Sequence, residues 1–298
     1  VSAIAVLGSC SIDLVVRQPR LARPGETIFG TELMIVPGGK GLNQAIAAAR
    51  AGGEVEFLGA VGDDAFGAQV RASLQDAGVG VGGLRTVAGS TGTAHIAVLD
   101  GGENAIAIVP AANSAVTTFD DAARLDGARY LVAQFERPLP LLAEAFAVAR
   151  SRGITTVLTP APVQEPGALL ELTDILVPNA GEACELAGID DEVEAAIALS
   201  RRAGLVVMTR GERGSIAVRD GVVEHELPAR PVDVVDTTAA GDSFVGALVA
   251  WLAEGAGLED ALRAATVAAS LCVTRPGTSS AIPDRAEIDA AMAGVRYW

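Results

Sequence analysis

The segment Val235-Asp236-Thr237-Thr238-Ala239-Ala240-Gly241-Asp242-Ser243-Phe244 sets two carboxylates around a run of small residues. An extended stretch at 231–235 leads into it. An apolar run at 245–252, long enough for a buried helix, leads out. The pattern predicts a tight turn that opens a helix near Ala240-Gly241. The first backbone N–H groups of a helix have no partner inside it and favour an anion. Small residues let that backbone come close to a phosphate. Asp242 falls in the first helical turn, where the helix dipole helps keep a carboxylate ionised. Donors for a moving phosphate beside a base for an attacking hydroxyl are the parts of phosphoryl transfer. The same residues also read as an N-cap aspartate on a core helix.

Other polar clusters lie far away in the chain. Asp13 follows the apolar run 3–8, at the end of a strand where open α/β sheets bind ligands. It also reads as a turn-forming aspartate. Pro37-Gly38-Gly39-Lys40-Gly41-Leu42-Asn43-Gln44 opens a helix predicted at 45–51 and capped by Gly52-Gly53. Lys40, Asn43 and Gln44 could donate to the hydroxyls of a ligand there. The alternative is a glycine-rich turn with an N-cap, and the Walker A spacing is absent. Residues 78–83 match G-x-G-x-x-G, but they follow a helix and precede an extended segment, the reverse of a dinucleotide fingerprint. His95 reads as a packing residue in a lid strand, and His225 carries no signal.

A scaffold must bring these clusters together. Strands are predicted at 3–8, 55–61, 130–133, 154–158, 175–178 and 205–209, with helices at 64–77 and 139–150. Such alternation predicts an α/β fold: a central, mostly parallel sheet with helices on both faces. The polar clusters follow strands, so the C-terminal edge of the sheet is expected to carry the site. Two antiparallel pieces (215–218 and 222–227), two Ala-rich helices (about 240–254 and 258–273) and a last helix from about 284 complete the chain. Two excursions interrupt the pattern. Residues 14–17 and 27–36 are extended and flank Arg-Pro-Gly. Residues 91–98 and 104–109 form a hairpin around Asp100-Gly101-Gly102-Glu103. The two are expected to pair as a small antiparallel β lid. The chain thus reads as one domain, 1–298, with a lid from about 14–37 and 91–110.

Composition narrows the function classes. The 298 residues are half hydrophobic and carry a net charge of −15, with a pI of about 4.5. That balance argues against nucleic-acid or anionic-membrane partners, though not against a local phosphate site. Cys10, Cys184 and Cys272 are scattered and read as reduced thiols. Two histidines and no Cys/His cluster argue against structural zinc. Neither a signal segment nor a membrane-length apolar run is read. The expectation is a soluble, cytoplasmic protein.

Taken jointly, Gly38-Gly39-Lys40-Gly41-Leu42-Asn43 and Asp236-Thr237-Thr238-Ala239-Ala240-Gly241-Asp242 resemble the two signatures of the ribokinase-like (pfkB) carbohydrate kinases. Asn179 with Glu182, and Thr209 with Gly211 and Gly214, look like the family's magnesium/phosphate and nucleotide motifs. All four occur in the family's order and span nearly the whole chain. Within the family the chain is most similar to ribokinases. The 101–106 hairpin followed by Pro110-Ala111-Ala112-Asn113, and Gln134-Phe135-Glu136, carry that likeness.

The resemblance implies transfer of the ATP γ-phosphate to the primary hydroxyl of a small sugar, with D-ribose giving ribose 5-phosphate. It implies that Asp13, Gly39, Lys40, Asn43 and Glu136 hold sugar hydroxyls and that Asp242 is the base. Ala239, Ala240 and Gly241 would form the anion hole. Asn179 and Glu182 would position Mg²⁺ through water. Thr209, Gly211 and Gly214 would lie along the nucleotide. Asp236, with carbonyls around Thr238, Cys272, Arg275 and Gly277, would hold a monovalent cation, K⁺ in this family. The lid would close over the sugar and join two copies into a homodimer. Four positions depart from the family. Ser11 stands where an Asn often touches ribose, and Thr266 where Asn is common near adenine. Ala281 replaces a cation-holding Ser, and the 110–113 turn has Ala in place of Gly. Two other readings stay open. One is a kinase of the same family for deoxyribose, a nucleoside, fructose or a keto-deoxy sugar acid. The other is a non-catalytic sugar- or nucleotide-binding protein.

Overall fold

The computed structural model describes residues 3–101 and 103–294; Gly102, in the predicted hairpin turn, lies outside the described residues. The first half of the chain runs β1 (Ile4–Leu7), β2 (Ser11–Gln18), β3 (Glu32–Gly38), α1 (Lys40–Arg50), β4 (Val55–Gly62), α2 (Ala65–Asp76) and β5 (Gly80–Val87). Then come β6 (Gly92–Leu99), β7 (Asn104–Val109), α3 (Ala112–Ala115), β8 (Tyr130–Gln134), α4 (Leu139–Ser151) and β9 (Thr155–Thr159). The second half runs β10 (Ile175–Leu176), α5 (Ala180–Ala187), α6 (Glu192–Ser200), β11 (Leu205–Thr209), β12 (Ser215–Arg219) and β13 (Val222–Leu227). The chain closes with α7 (Ala240–Glu254), α8 (Leu258–Cys272) and α9 (Arg285–Ala293).

Nine strands form the large sheet in the order β13-β12-β11-β10-β9-β8-β1-β4-β5. From β11 to β5 every pairing is parallel, and only β12 and β13 join antiparallel. β1 shows why the strands read as unbroken apolar runs. Ile4 and Val6 enter the core under α1, α7 and α8, whereas Ala5 and Leu7 enter the core under α4 to α6. Successive side chains point to opposite faces, so a strand covered on both sides must be apolar throughout.

The smaller sheet has the order β3-β2-β6-β7. Each hairpin within it is antiparallel, and the two hairpins meet through a parallel β2–β6 pairing. The pairing expected between the two excursions is therefore present.

Several predicted boundaries move. α1 begins at Lys40, five residues before the expected start at 45, because Gly39 serves as its N-cap. Lys40, Asn43 and Gln44 are thereby helical and point from one short element. The strand expected at 175–178 is regular only over Ile175–Leu176, although Val177 N still donates to the Leu158 carbonyl at 2.8 Å and the Pro178 carbonyl accepts from Thr209 N at 3.0 Å. Residues 231–235 are not paired as a strand. The glycine-rich stretch at 78–83 runs into β5 and opens no helix, in line with its rejection as a dinucleotide fingerprint.

Candidate active site

The cluster around Asp13 and Glu136 is built where β1, β3 and β8 end. Asp13, on β2, is buried, and its neighbour in register across the hairpin ladder is Val36. A Cβ on Gly38 would come within 2.2 Å of the Asp13 carboxylate, so this position has to be glycine for Asp13 to keep its place. Ser11 is also buried and donates its hydroxyl to Asp13 Oδ1 at 3.3 Å. Burial pushes the Asp13 carboxyl up to about 6. The Ser11 hydrogen bond opposes that shift, and the Glu136 charge adds to it. Glu136, just after β8, accepts from the Ser9 hydroxyl and from the Lys40 backbone N–H, the latter at 3.0 Å. Both bonds fall on Oε2, which leaves Oε1 free.

Asp242 sits in the first turn of α7, where the apolar run predicted it. α1 packs along α7, and at Gly246 the two are near enough that a Cβ there would meet Ala47 Cβ at 2.4 Å. This contact brings the start of α1 onto Asp242. Asn43 Nδ2 donates to Asp242 Oδ2 at 3.1 Å, and Gln44 Nε2 donates to Oδ1 at 3.0 Å. The sequence reading gave Gln44 to a ligand hydroxyl; the structure gives it to Asp242 instead. It also adds to the expected electrostatics. Burial is the largest influence on Asp242 and pushes its pKa up; Lys40 and the two amides pull it back, and Glu136 opposes them. The Lys40 charge and the Gln44 and Asn43 amides thus act on this carboxylate in the same sense as the dipole of the helix it begins.

Two cavities flank this helix start. The larger, about 550 Å³, is lined by Thr209, Gly211, Gly214, Gly241 and Thr266, the positions that the resemblance assigns to the nucleotide. Thr237, from the second signature, also lines it, as does Arg230, which no motif had singled out. The smaller, about 230 Å³, is lined by Lys40, Asn179, Glu182, Ala239, Gly241 and Asp242. Thr209, Thr237 and Gly241 belong to both walls, so the cavities meet at the turn before α7. Ala239 caps that helix in the left-handed region, with φ 60°. Ala240 is the first helical residue.

Asn179 and Glu182 form a reciprocal capping box at the start of α5. Glu182 N donates to Asn179 Oδ1 at 2.8 Å, and Asn179 N donates to Glu182 Oε2 at 2.9 Å. Burial raises the Glu182 pKa, and the Asn179 backbone bond and Lys40 moderate the rise. No group of three or more His, Cys, Asp or Glu side chains among the described residues could hold a metal ion. The proposed cation loop is brought together as well. Asp236 Oδ1 accepts from Thr238 N at 2.9 Å, and its Oδ2 from Gly277 N at 3.0 Å. The Cys272 thiol approaches the Thr238 carbonyl at 3.6 Å. Arg275 pairs its guanidinium with Glu287, which leaves only its backbone for an ion. Ala281 is buried in the turn at Ser279–Ala281. All three cysteines are free. His95 is exposed on the lid, and its ring pairs with the Thr93 hydroxyl at 3.1 Å.

No helix among the described residues is long and apolar enough to cross a membrane. The family model for pfkB family carbohydrate kinases matches residues 1–285. The chain is 37% identical over 291 residues to the ribokinase of Bacillus subtilis, covering 96% of this chain and 98% of that protein. It is also 37% identical to the bifunctional ribokinase/ribose-5-phosphate isomerase A of Fructilactobacillus sanfranciscensis, and spans 55% of that protein's length. The structure of Arabidopsis thaliana ribokinase complexed with ribose and ATP superposes with a TM-score of 0.93 at 30% identity, covering 99% of each chain. On the sequence signatures, the fold and these likenesses, the chain belongs to the pfkB family of carbohydrate kinases.

Proposed function

We infer that this chain transfers the γ-phosphoryl group of ATP to the primary hydroxyl of D-ribose, forming ribose 5-phosphate. The observation that carries the reading is the location of Asp242. It lines the smaller cavity beside Lys40, and its neighbour Gly241 lines both that cavity and the larger one. A base at the junction of an acceptor site and a nucleotide site is what in-line transfer needs.

In this scheme Asp13, Glu136, Gly39, Lys40 and Asn43 hold the sugar hydroxyls, with Ser11 setting the orientation of Asp13. Asp242 takes the proton from the attacking hydroxyl. The backbone N–H groups of Ala239, Ala240 and Gly241 receive charge from the transferred group. Thr209, Gly211, Gly214 and Thr266 lie along the nucleotide. Mg²⁺, held through water by Asn179 and Glu182, offsets charge on the phosphates when bound. Asp236 and the carbonyls of Thr238, Cys272, Arg275 and Gly277 hold K⁺, with Ala281 contributing no side-chain ligand. The scheme takes the reaction to be cytoplasmic.

The smaller sheet acts as a lid with two distinct faces. Register places Asp13, Ala94 and Ile108 on one face, and Leu14, Ile35 and His95 on the other. Leu33 is 60% exposed and Ile35 46% exposed on that second face. Exposed apolar residues on a sheet face favour a homodimer through the lid. Sedimentation would show a dimer that Leu33→Lys with Ile35→Lys reduces to a monomer; a monomeric parent removes the idea.

The activity is tested by ADP release with Mg-ATP and K⁺ against ribose, 2-deoxyribose, fructose, adenosine and 2-keto-3-deoxygluconate. Ribose far ahead of the others is expected. Faster turnover of another acceptor would move the assignment within the family, and no turnover at all would leave a binding protein.

A further inference from the structure

Gln134, Gln44 and Asp242 form a hydrogen-bonded chain that crosses from β8 through α1 to α7. Gln134 Nε2 donates to Gln44 Oε1 at 2.7 Å, and Gln44 Nε2 donates to Asp242 Oδ1 at 3.0 Å. Gln44 Nε2 also lies 3.3 Å from Thr159 Oγ1. Both glutamines are buried. A primary amide has a donor end and an acceptor end, and half a turn exchanges them. Only the donor end suits an ionised carboxylate. Gln134 fixes that choice, because its N–H occupies the Gln44 oxygen and keeps it away from Asp242. The arrangement has a cost. Gln134 Oε1 is buried without a partner, in space that Gly8 leaves open; a Cβ there would lie 2.6 Å from it. Two buried amides and one bare oxygen are expensive where leucine or methionine would fill the same volume. Packing alone does not account for them.

We propose that Gln44 and Gln134 are positioning residues for Asp242. Gln44 holds the carboxylate in its rotamer and favours its ionised form, and Gln134 locks the orientation of the Gln44 amide. The proposal rests on Asp242 being the base, as inferred above. The other charged or titratable groups facing Asp242 are Lys40 on α1, Glu136 after β8, Glu182 on α5 and Cys272 at the end of α8.

The test measures kcat and KM across pH for Gln44→Leu, Gln134→Leu, the double variant and Asp242→Asn, with ADP binding as the check on folding. Asp242→Asn is expected to be nearly inactive at every pH. Gln44→Leu should lower kcat at neutral pH and move the acid limb of kcat upward by about one pH unit, the effect of losing one hydrogen bond to a charged group. Gln134→Leu should move the limb the same way by less, and add nothing in the Gln44→Leu background. An acid limb that stays in place while rates fall uniformly, or losses that simply add, overturns the proposal. If Gln44→Leu no longer binds ADP, the isosteric Gln44→Glu carries the test: a second carboxylate beside Asp242 should move the limb up further, and an unmoved limb overturns the proposal. An active Asp242→Asn would remove the base reading itself.

Discussion

Asp236 Oδ2 accepts a hydrogen bond from the Gly277 backbone N–H at 3.0 Å across 41 residues of sequence. With its other oxygen accepting from the amide and hydroxyl of Thr238, this carboxylate ties the turn before α7 to the loop after α8. In the proposed scheme residues 236–241 supply the anion-binding turn, and the tie holds their geometry. Asp236→Ala should lower kcat at least tenfold and abolish any stimulation by K⁺, with KM for ribose changed far less. A variant that keeps its kcat and its K⁺ response would show that the turn is ordered without Asp236.

The same residue makes a pH prediction. Burial works against the Asp236 charge, but the Thr238 and Gly277 bonds outweigh it and hold the pKa below the ordinary carboxylate value. A depressed folded-state pKa gives stability that is present above the unfolded-state pKa and lost as pH falls through the folded-state value. The stability gap between the parent and Asp236→Ala should therefore be constant at neutral pH and shrink only in acid, below about pH 4. Denaturant titrations at several pH values check it; a gap that grows in acid contradicts the assignment.

Asp242→Asn keeps the shape of the side chain and removes the base. Turnover should fall by about 10² to 10⁴, whereas ADP affinity, measured by calorimetry, should change little. Comparable losses in both would indicate that Asp242 holds the nucleotide site together and does not act on the acceptor.

Asp13 titrates in the opposite sense to Asp236. Burial raises its folded-state pKa to about 6, above its value in the unfolded chain. A carboxyl raised in this way costs stability when ionised, so its contribution declines as pH rises from about 4 to about 6 and is flat above. Asp13→Asn should raise Tm at neutral pH and, having lost the charged acceptor, raise KM for ribose. In the parent, kcat/KM for ribose should fall on the acid side of about pH 6, where Asp13 takes up its proton. An unchanged Tm together with a pH-independent kcat/KM would discard the role.

Much of this was legible in the sequence because the relevant signals are local. The apolar runs of β1, β4, β8 and β11 are buried on both faces, so burial alone spelled them out. The turn before α7 and the glycines before α1 announced themselves through backbone chemistry that few residue types permit. What the sequence could not give is how side chains divide among partners. Asn43 and Gln44 looked alike as donors for a ligand, and only the packing of α1 on α7 brings an N–H of each onto Asp242. Gln134 stood beside Glu136 with nothing to mark it as a donor to Gln44, because that contact joins residues 90 positions apart. Ser9 and Arg230 lie in the same category. The start of α1 was misjudged because glycines at 39 and 41 weaken a helical pattern that tertiary contacts restore.

The turn at Ala111 offers a stability test. Ala111 has φ 44° and ψ −117°, a conformation that suits glycine and strains a residue with a Cβ. It is held there by its neighbours. Asn113 Nδ2 donates to the Cys10 carbonyl at 2.8 Å, and Cys10 N donates to Asn113 Oδ1 at 3.1 Å, pinning the turn to the β1–β2 connection. Relief of such strain is worth about 1–3 kcal/mol, and the extra freedom of glycine in the unfolded chain returns about 0.4–1 kcal/mol. Ala111→Gly should therefore stabilise the protein by about 1 kcal/mol, a rise in Tm of roughly 2 °C for a chain of this size. Asn113→Ala should destabilise it, because two buried backbone groups of Cys10 lose their partner. Calorimetry on both variants decides the matter: if Ala111→Gly lowers Tm, the conformation is not strained in the folded protein, and Asn113 is holding a turn that would form without it.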